Sequence, residues 1–165
     1  MGLLSFIKEA GEKLFSKGNA QAAMTQAQAN PADVEKAKAA NDAAGDAILA
    51  YINDQNLKAT GLTVTFDGAT ATVYGIADNQ ATKEKIVLCA GNVHGVESVN
   101  DQMTVDQSQP EAQYYTVVRG DTLSKISKQY YGDANKYPAI FEANKPMLKS
   151  PDLIYPVQIL RIPPL

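Results

Sequence analysis

Leu62-Thr63-Val64-Thr65-Phe66-Asp67-Gly68-Ala69-Thr70-Ala71-Thr72-Val73 sets apolar residues and threonines in strict alternation on both sides of an Asp-Gly pair. Alternation with a period of two is the pattern of a half-buried strand, because successive side chains point to opposite faces. Asp67-Gly68 supplies the left-handed residues of a tight turn, so the stretch predicts a β-hairpin.

The period changes on either side of it. Upstream, Val34, Ala37, Ala44, Ile48 and Ile52 fall on one helical face, which predicts a helix from about Ala32 to Asn56, closed near Gly61. Downstream, Asp78 or Asn79 can cap a helix through Ala90 whose inner side carries Ala81, Ile86, Cys89 and Ala90, with Gly91 suited to the turn that follows. Val96 to Asp106 then reads as a third strand. Helix, strand, strand, helix, strand is the order of an α+β unit, an open three-stranded sheet packed against helices, over residues 32–106.

Further out, Leu3, Ile7, Ala10, Leu14 and Phe15 recur at helical spacing, so residues 1–16 are expected to hold a short amphipathic helix, over 3–16. A helix that short needs a surface to lie on, either a membrane or the rest of this chain. Its polar face mixes both signs of charge, which favours the protein. Residues 17–31, rich in Ala and Gln, form a solvated connection or a weak helix. Residues 107–113, with Pro110 and no apolar period, are expected to link this unit to a second one.

The second unit, 114–165, begins with the β-prone run Tyr115-Thr116-Val117-Val118. Arg119-Gly120-Asp121-Thr122 turns the chain and offers a cap to a helix carrying Leu123, Ile126 and Tyr130, which Gly132-Asp133 stops. A second helix carries Tyr137, Ile140, Phe141 and Ala143, and Gln158 to Ile162 is a short strand. The expectation is βααβ.

Composition bounds what such a chain can do. It has 165 residues, 20% of them charged, and a net charge of -3, against the basic balance of a nucleic-acid binder. The charge is uneven: Lys and Arg against Asp and Glu number 3 and 2 in residues 1–31, 5 and 11 in 32–106, and 7 and 5 in 107–165. One cysteine, Cys89, excludes an internal disulfide, and no stretch approaches the roughly twenty apolar residues that span a bilayer. Without a secretory apolar run near the start, the expected compartment is the cytoplasm. One histidine, His94, lies five residues from Cys89 with no second pair, short of a zinc site. Neither a nucleophile with its base nor a phosphate-binding glycine loop is present, so no enzymatic activity is expected.

The feature with chemistry in it is Gly91-Asn92-Val93-His94-Gly95-Val96. After a helix C-terminus, such a loop brings main-chain carbonyls together at the negative end of the helix dipole. Calcium would want carboxylates spaced along the loop, and there are none. Neutral carbonyls can hold a larger, weakly hydrated monovalent cation, or they can simply meet water and neighbouring amides.

Three resemblances bear on that choice. Val73-Tyr74-Gly75, a helix, and Gly91-Asn92-Val93-His94-Gly95-Val96-Glu97-Ser98-Val99 resemble the BON family. Tyr115-Thr116-Val117, Gly120-Asp121-Thr122-Leu123, Ile126, Gly132, Ile140, Asn144, Ile154-Tyr155-Pro156 and Leu160-Arg161-Ile162-Pro163 resemble the LysM family in order and spacing. LysM modules generally bind N-acetylglucosamine polymers, and the resemblance implies a groove between Gly120, Asp121, Thr122 and Leu123 and the facing Ile154, Tyr155 and Pro156. Val157 departs from that family's usual glycine, and its side chain crowds the turn or the groove. Gly120, Asp121 and Thr122 would equally serve a turn and helix cap without any ligand.

Over nearly its whole length, including Lys8 to Leu14 and Phe141 to Asp152, the chain resembles the small cytoplasmic BON-LysM potassium-binding proteins of bacteria. That resemblance implies a potassium ion held in the BON half and a LysM half that steadies the bound form. The expected ligands are main-chain oxygens of Ile7, Ala10, Gly91, Val93 and Val96, with the N-terminal helix folding onto the BON sheet and closing the site. The expected role is that of a potassium sensor or buffer in osmotic stress, acting as a monomer. The alternative is an envelope protein binding peptidoglycan through the LysM groove and lipid through the BON face.

Overall fold

The computed structural model describes residues 2–8, 11–16 and 18–165. The hairpin lies at its centre: β2 (Thr60–Asp67) runs antiparallel to β3 (Thr70–Asn79), with Val64 opposite Val73 and Phe66 opposite Ala71, all four buried. Asp67 is the last residue of its strand, opposite Thr70, so the turn falls one residue later than expected, on Gly68-Ala69. Gly68 alone there takes a positive φ, 65°. The Asp67 carboxylate instead accepts a hydrogen bond from the Asn41 side chain, 3.3 Å.

Helix α2 (Val34–Asp54) lies across the hairpin, capped by Asp33, whose carboxylate accepts the Glu35 and Lys36 N–H groups. Ala44, Ile48 and Ile52 form its buried stripe. Helix α3 (Gln80–Gly91), capped by Asn79 on the Thr82 N–H at 2.9 Å, crosses over to β4 (Ser98–Gln107), which pairs in parallel with β3.

The three expected strands are present, and a fourth joins them. Gly2–Ser5 is strand β1, antiparallel to the far edge of β4, giving the order β1-β4-β3-β2. The helix expected over 3–16 is therefore overturned. Unpaired backbone groups along the β4 edge are a stronger partner than a marginal helix, whose hydrogen bonds are all internal. Alternation was also present in the sequence: Leu4 packs against the core and Phe6 is buried, while Leu3 points to solvent. Of the expected helix, Leu14–Ser16 keeps one 3-10 turn.

Of the two forms left open for the Ala/Gln-rich segment, the chain adopts the helix, α1 (Gly18–Ala29), packed along α2. Alanine carries the highest helix propensity, and Ala20 and Met24 supply the contact.

The C-terminal unit is βααβ. Strand β5 (Gln113–Thr116) is antiparallel to β6 (Ile159–Ile162), with helices α4 (Leu123–Tyr131) and α5 (Tyr137–Ala143) between them. Its own core gathers Val117, Leu123, Ile126, Ile140, Leu148, Leu160 and Ile162. Gln107 ends β4, and the connecting residues do more than span a gap: Ala112 is buried, and its N–H donates to Glu84 Oε1 at 3.0 Å.

The two units dock where α3 meets β6. Only one edge of β6 is paired with β5, and two side-chain amides close the other. Asn144 Oδ1 accepts the Arg161 N–H (2.7 Å) while its Nδ2 donates to the Arg161 carbonyl (2.8 Å). Asn92, from the first unit, treats Ile159 the same way. Beside them Arg161 forms an ion pair with Glu84, both almost fully buried. No helix among the described residues is long and apolar enough to cross a membrane.

Candidate functional site

Residues 91–97 connect the end of α3 to β4, and the N-terminal segment straps them on two sides. Phe6 N–H donates to the Glu97 carbonyl (2.7 Å), and Gly95 N–H donates to the Lys8 carbonyl (2.7 Å). On the other side Glu12 N–H donates to the Asn92 carbonyl (2.9 Å), and His94 N–H donates to the Glu12 carbonyl (2.8 Å). These are main-chain bonds throughout, so the closure depends on backbone shape and not on side-chain charge.

Two glycines make the close approach possible. A Cβ on Gly91 would stand 2.1 Å from the Phe6 ring, and one on Gly11, where φ is +100°, would stand 2.1 Å from the Asn92 carbonyl oxygen. Both distances are far inside van der Waals contact, so a side chain at either position would push strap and loop apart.

The structure thus brings the segments bearing Ile7, Gly91, Val93 and Val96 together; Ala10 lies outside the described residues. Ile7 sits between Phe6 and Lys8, both bonded to the loop, and is itself 39% exposed. The Val93 and Val96 side chains are fully buried, and the Val93 carbonyl accepts the Val96 N–H at 3.0 Å. None of the backbone hydrogen bonds formed among described residues outside helices and strands ends on the carbonyls of Ile7, Gly91 or Val96. Among the described residues there is no group of three or more His, Cys, Asp and Glu placed to hold a metal ion. A cation here would be held by oxygen dipoles at the C-terminal end of α3.

Cys89 is buried within α3, and burial pushes its thiol up to about 12. Tyr155 is half-buried, and its hydroxyl is pushed up to about 12 by burial and then by the charge of Glu12.

Across the C-terminal unit, a cleft of about 290 Å³ is lined by Asp121, Thr122, Leu123 and Ile154, with Tyr137 and Asp152 among its other walls. Gly120, Tyr155 and Pro156 are not part of that lining. Some of the polar atoms on the expected glycan side have internal partners: Asp121 Oδ2 accepts from the Tyr115 hydroxyl (2.7 Å) and the Val118 N–H (2.9 Å), and the Thr122 hydroxyl accepts the Lys125 N–H (3.2 Å). Val157 adopts φ 66°, the left-handed conformation that glycine takes freely. Its departure from the LysM pattern strains the turn, and its side chain does not line the cleft.

Asn92, Glu84 and Arg161, which hold the two units together, were not singled out as functional from sequence. Asn92 stood inside the glycine-flanked loop, but its partner Ile159 is 67 residues away, a separation at which no local pattern operates.

Comparison with known proteins agrees with this architecture. A BON domain is matched over residues 40–107 and a LysM domain over residues 115–163. The chain is 42% identical over 164 residues to the potassium binding protein Kbp of Escherichia coli O6:H1, covering 99% of each chain. It is also 53% identical over 49 residues to an uncharacterized protein of Deinococcus radiodurans, covering 30% of this chain and 19% of that one.

Proposed function

Because the chain belongs to the family of the potassium binding protein Kbp, with which it shares its whole length, we propose that it is a non-enzymatic binding protein selective for potassium. The ion is held by main-chain oxygens of Ile7, Ala10, Gly91, Val93 and Val96, between the loop that follows α3 and the N-terminal strap. The observation that carries this reading is the closure of that loop by four main-chain hydrogen bonds from Phe6, Lys8 and Glu12. A ring of neutral carbonyls replaces the weak hydration shell of potassium readily. It compensates less well for the tighter shell of sodium.

Ion binding then joins the strap to the loop, so the folded state is stabilised in proportion to occupancy. The protein serves in the cytoplasm as a sensor or buffer of the ion under osmotic stress. The test is thermal unfolding in potassium, sodium and choline chlorides at equal ionic strength. A midpoint raised by potassium above the other two is expected, and equal midpoints in potassium and sodium sink the proposal. Chitin oligomers, added in a parallel series, are expected to leave the midpoint where it was, since Gly120, Tyr155 and Pro156 do not line the cleft and Asp121 Oδ2 is held by internal bonds.

A further inference from the structure

Asn92 is held from four directions. Its N–H donates to the Leu88 carbonyl (2.9 Å), ending α3, and its carbonyl accepts the Glu12 N–H (2.9 Å) from the strap. Its side chain reaches the other unit, where Nδ2 donates to the Ile159 carbonyl (2.8 Å) and Oδ1 accepts the Ile159 N–H (3.0 Å). Nδ2 also lies 3.6 Å from Met147 Sδ. The carboxamide acts as a one-residue strand partner of β6, and at 5% exposure the pair is shielded from water.

The Gly91 carbonyl shares a peptide plane with the Asn92 N–H, and the Asn92 carbonyl shares the next with the Val93 N–H, so Gly91 cannot turn its oxygen without moving Asn92, and Val93 turns its own from a nitrogen that Asn92 holds. Those peptide groups are tied through Cβ to a carboxamide seated on β6. We propose that Asn92 is the positioning residue through which docking of the LysM unit sets the orientation of the loop carbonyls, and hence the affinity and selectivity of the cation site. This rests on the potassium reading above. It adds that the controlling contact is one side-chain amide and not the interface as a whole.

The geometry separates those two roles, because the same interface has a second buried contact away from the loop. Glu84 and Arg161 pair near the middle of α3, and neither touches residues 91–97 in any of their hydrogen bonds. Removing that pair weakens docking without altering what holds Asn92.

The experiment is titration calorimetry of the full chain with potassium chloride and with sodium chloride. Variants are Asn92→Ala, Ile159→Pro, and Glu84→Gln combined with Arg161→Met. Ile159→Pro removes the N–H that Asn92 accepts while leaving every loop residue unchanged, and it reads the same contact from the far side should the alanine variant fail to fold. Asn92→Ala and Ile159→Pro are each expected to lower potassium affinity about tenfold, the scale of losing a buried hydrogen bond, and to narrow the preference over sodium. The double variant is expected to keep the preference of the unaltered chain. Potassium affinity within twofold of the unaltered chain in both Asn92→Ala and Ile159→Pro overturns the inference. So does an equal loss in all variants with the preference unchanged. If the unaltered chain shows no preference for potassium, the proposed function has failed first and the inference falls with it.

Discussion

Glu84 on α3 and Arg161 on β6, separated by 77 residues, form an ion pair buried between the two units, with 3% and 7% of their surfaces exposed. Glu84 is fully engaged: its Oε1 also accepts from Gln80 Nε2 (2.9 Å) and from the Ala112 N–H (3.0 Å). A buried pair contributes little beyond an apolar replacement, yet removing one partner leaves an uncompensated charge. Arg161→Met alone should therefore cost about 3 kcal/mol. Arg161→Met with Glu84→Gln should recover part of that loss, because the amide oxygen removes the charge and still accepts from Gln80 and Ala112. Urea unfolding of the single and double variants measures both.

The strap depends on space as much as on hydrogen bonds. Gly91→Ala places a methyl 2.1 Å from the Phe6 ring and should destabilise the fold by about 2 kcal/mol. Since the obstacle is a side chain, Phe6→Ala in the same chain should absorb part of the clash, so the double variant should cost less than the sum of the singles. Gly11→Ala meets the Asn92 backbone instead, so no side-chain change should rescue it. A double-mutant cycle by chemical denaturation, read with and without potassium chloride, distinguishes the two glycines.

Val157 holds a left-handed conformation that a β-branched residue adopts at a cost of about 1–2 kcal/mol. Its N–H donates to the Val117 carbonyl at 2.7 Å, which keeps the turn in place. Val157→Gly should relieve the strain and raise stability by roughly 1 kcal/mol, less whatever the freer unfolded chain takes back. A thermal melt showing no rise would mean that packing of the Val157 side chain outweighs its backbone.

Alkaline pH should unfold the protein through its buried neutral acids. Burial raises the Cys89 thiol from 9.0 to about 12 and the Tyr155 hydroxyl from 10.0 to about 12. Tyr115, bonded to Asp121, is likewise raised to about 12. For each, the folded state keeps a proton that the unfolded chain has already released. Stability is therefore fully present below about pH 9 and falls as pH rises toward 12. Cys89→Ala should flatten the early part of that fall, measured as unfolding free energy against pH. By the same burial, the thiol of the native protein should resist thiol reagents at pH 8 and react only on unfolding.

Much of the architecture was legible in the order of residues. The alternation around Asp67-Gly68 identified β2 and β3. Asp78 or Asn79 and the run Arg119 to Thr122 marked two helix starts, and of these the side chains of Asn79 and Thr122 form the caps. The turn itself slipped by one residue, because which pair of residues spans a hairpin is decided by cross-strand register, here Asp67 opposite Thr70. Tyr155 was expected on the cleft with Ile154. Of the two only Ile154 lines that cleft, because adjacent residues of an irregular turn point to different sides.

By itself the sequence determined what local rules govern: the helical and strand periods of the elements from 32 to 162, their caps, and a glycine-flanked loop rich in carbonyls. The tertiary structure decided whatever required a partner remote in the chain. Residues 2–5 became a strand because β4 left an edge open about a hundred residues later. Asn92 became a bridge between the two units because the outer edge of β6 offered one N–H and one carbonyl at the spacing of an amide. Hydrophobic pattern and capping act over a few residues, whereas an unpaired peptide group takes its partner from whatever the fold brings beside it.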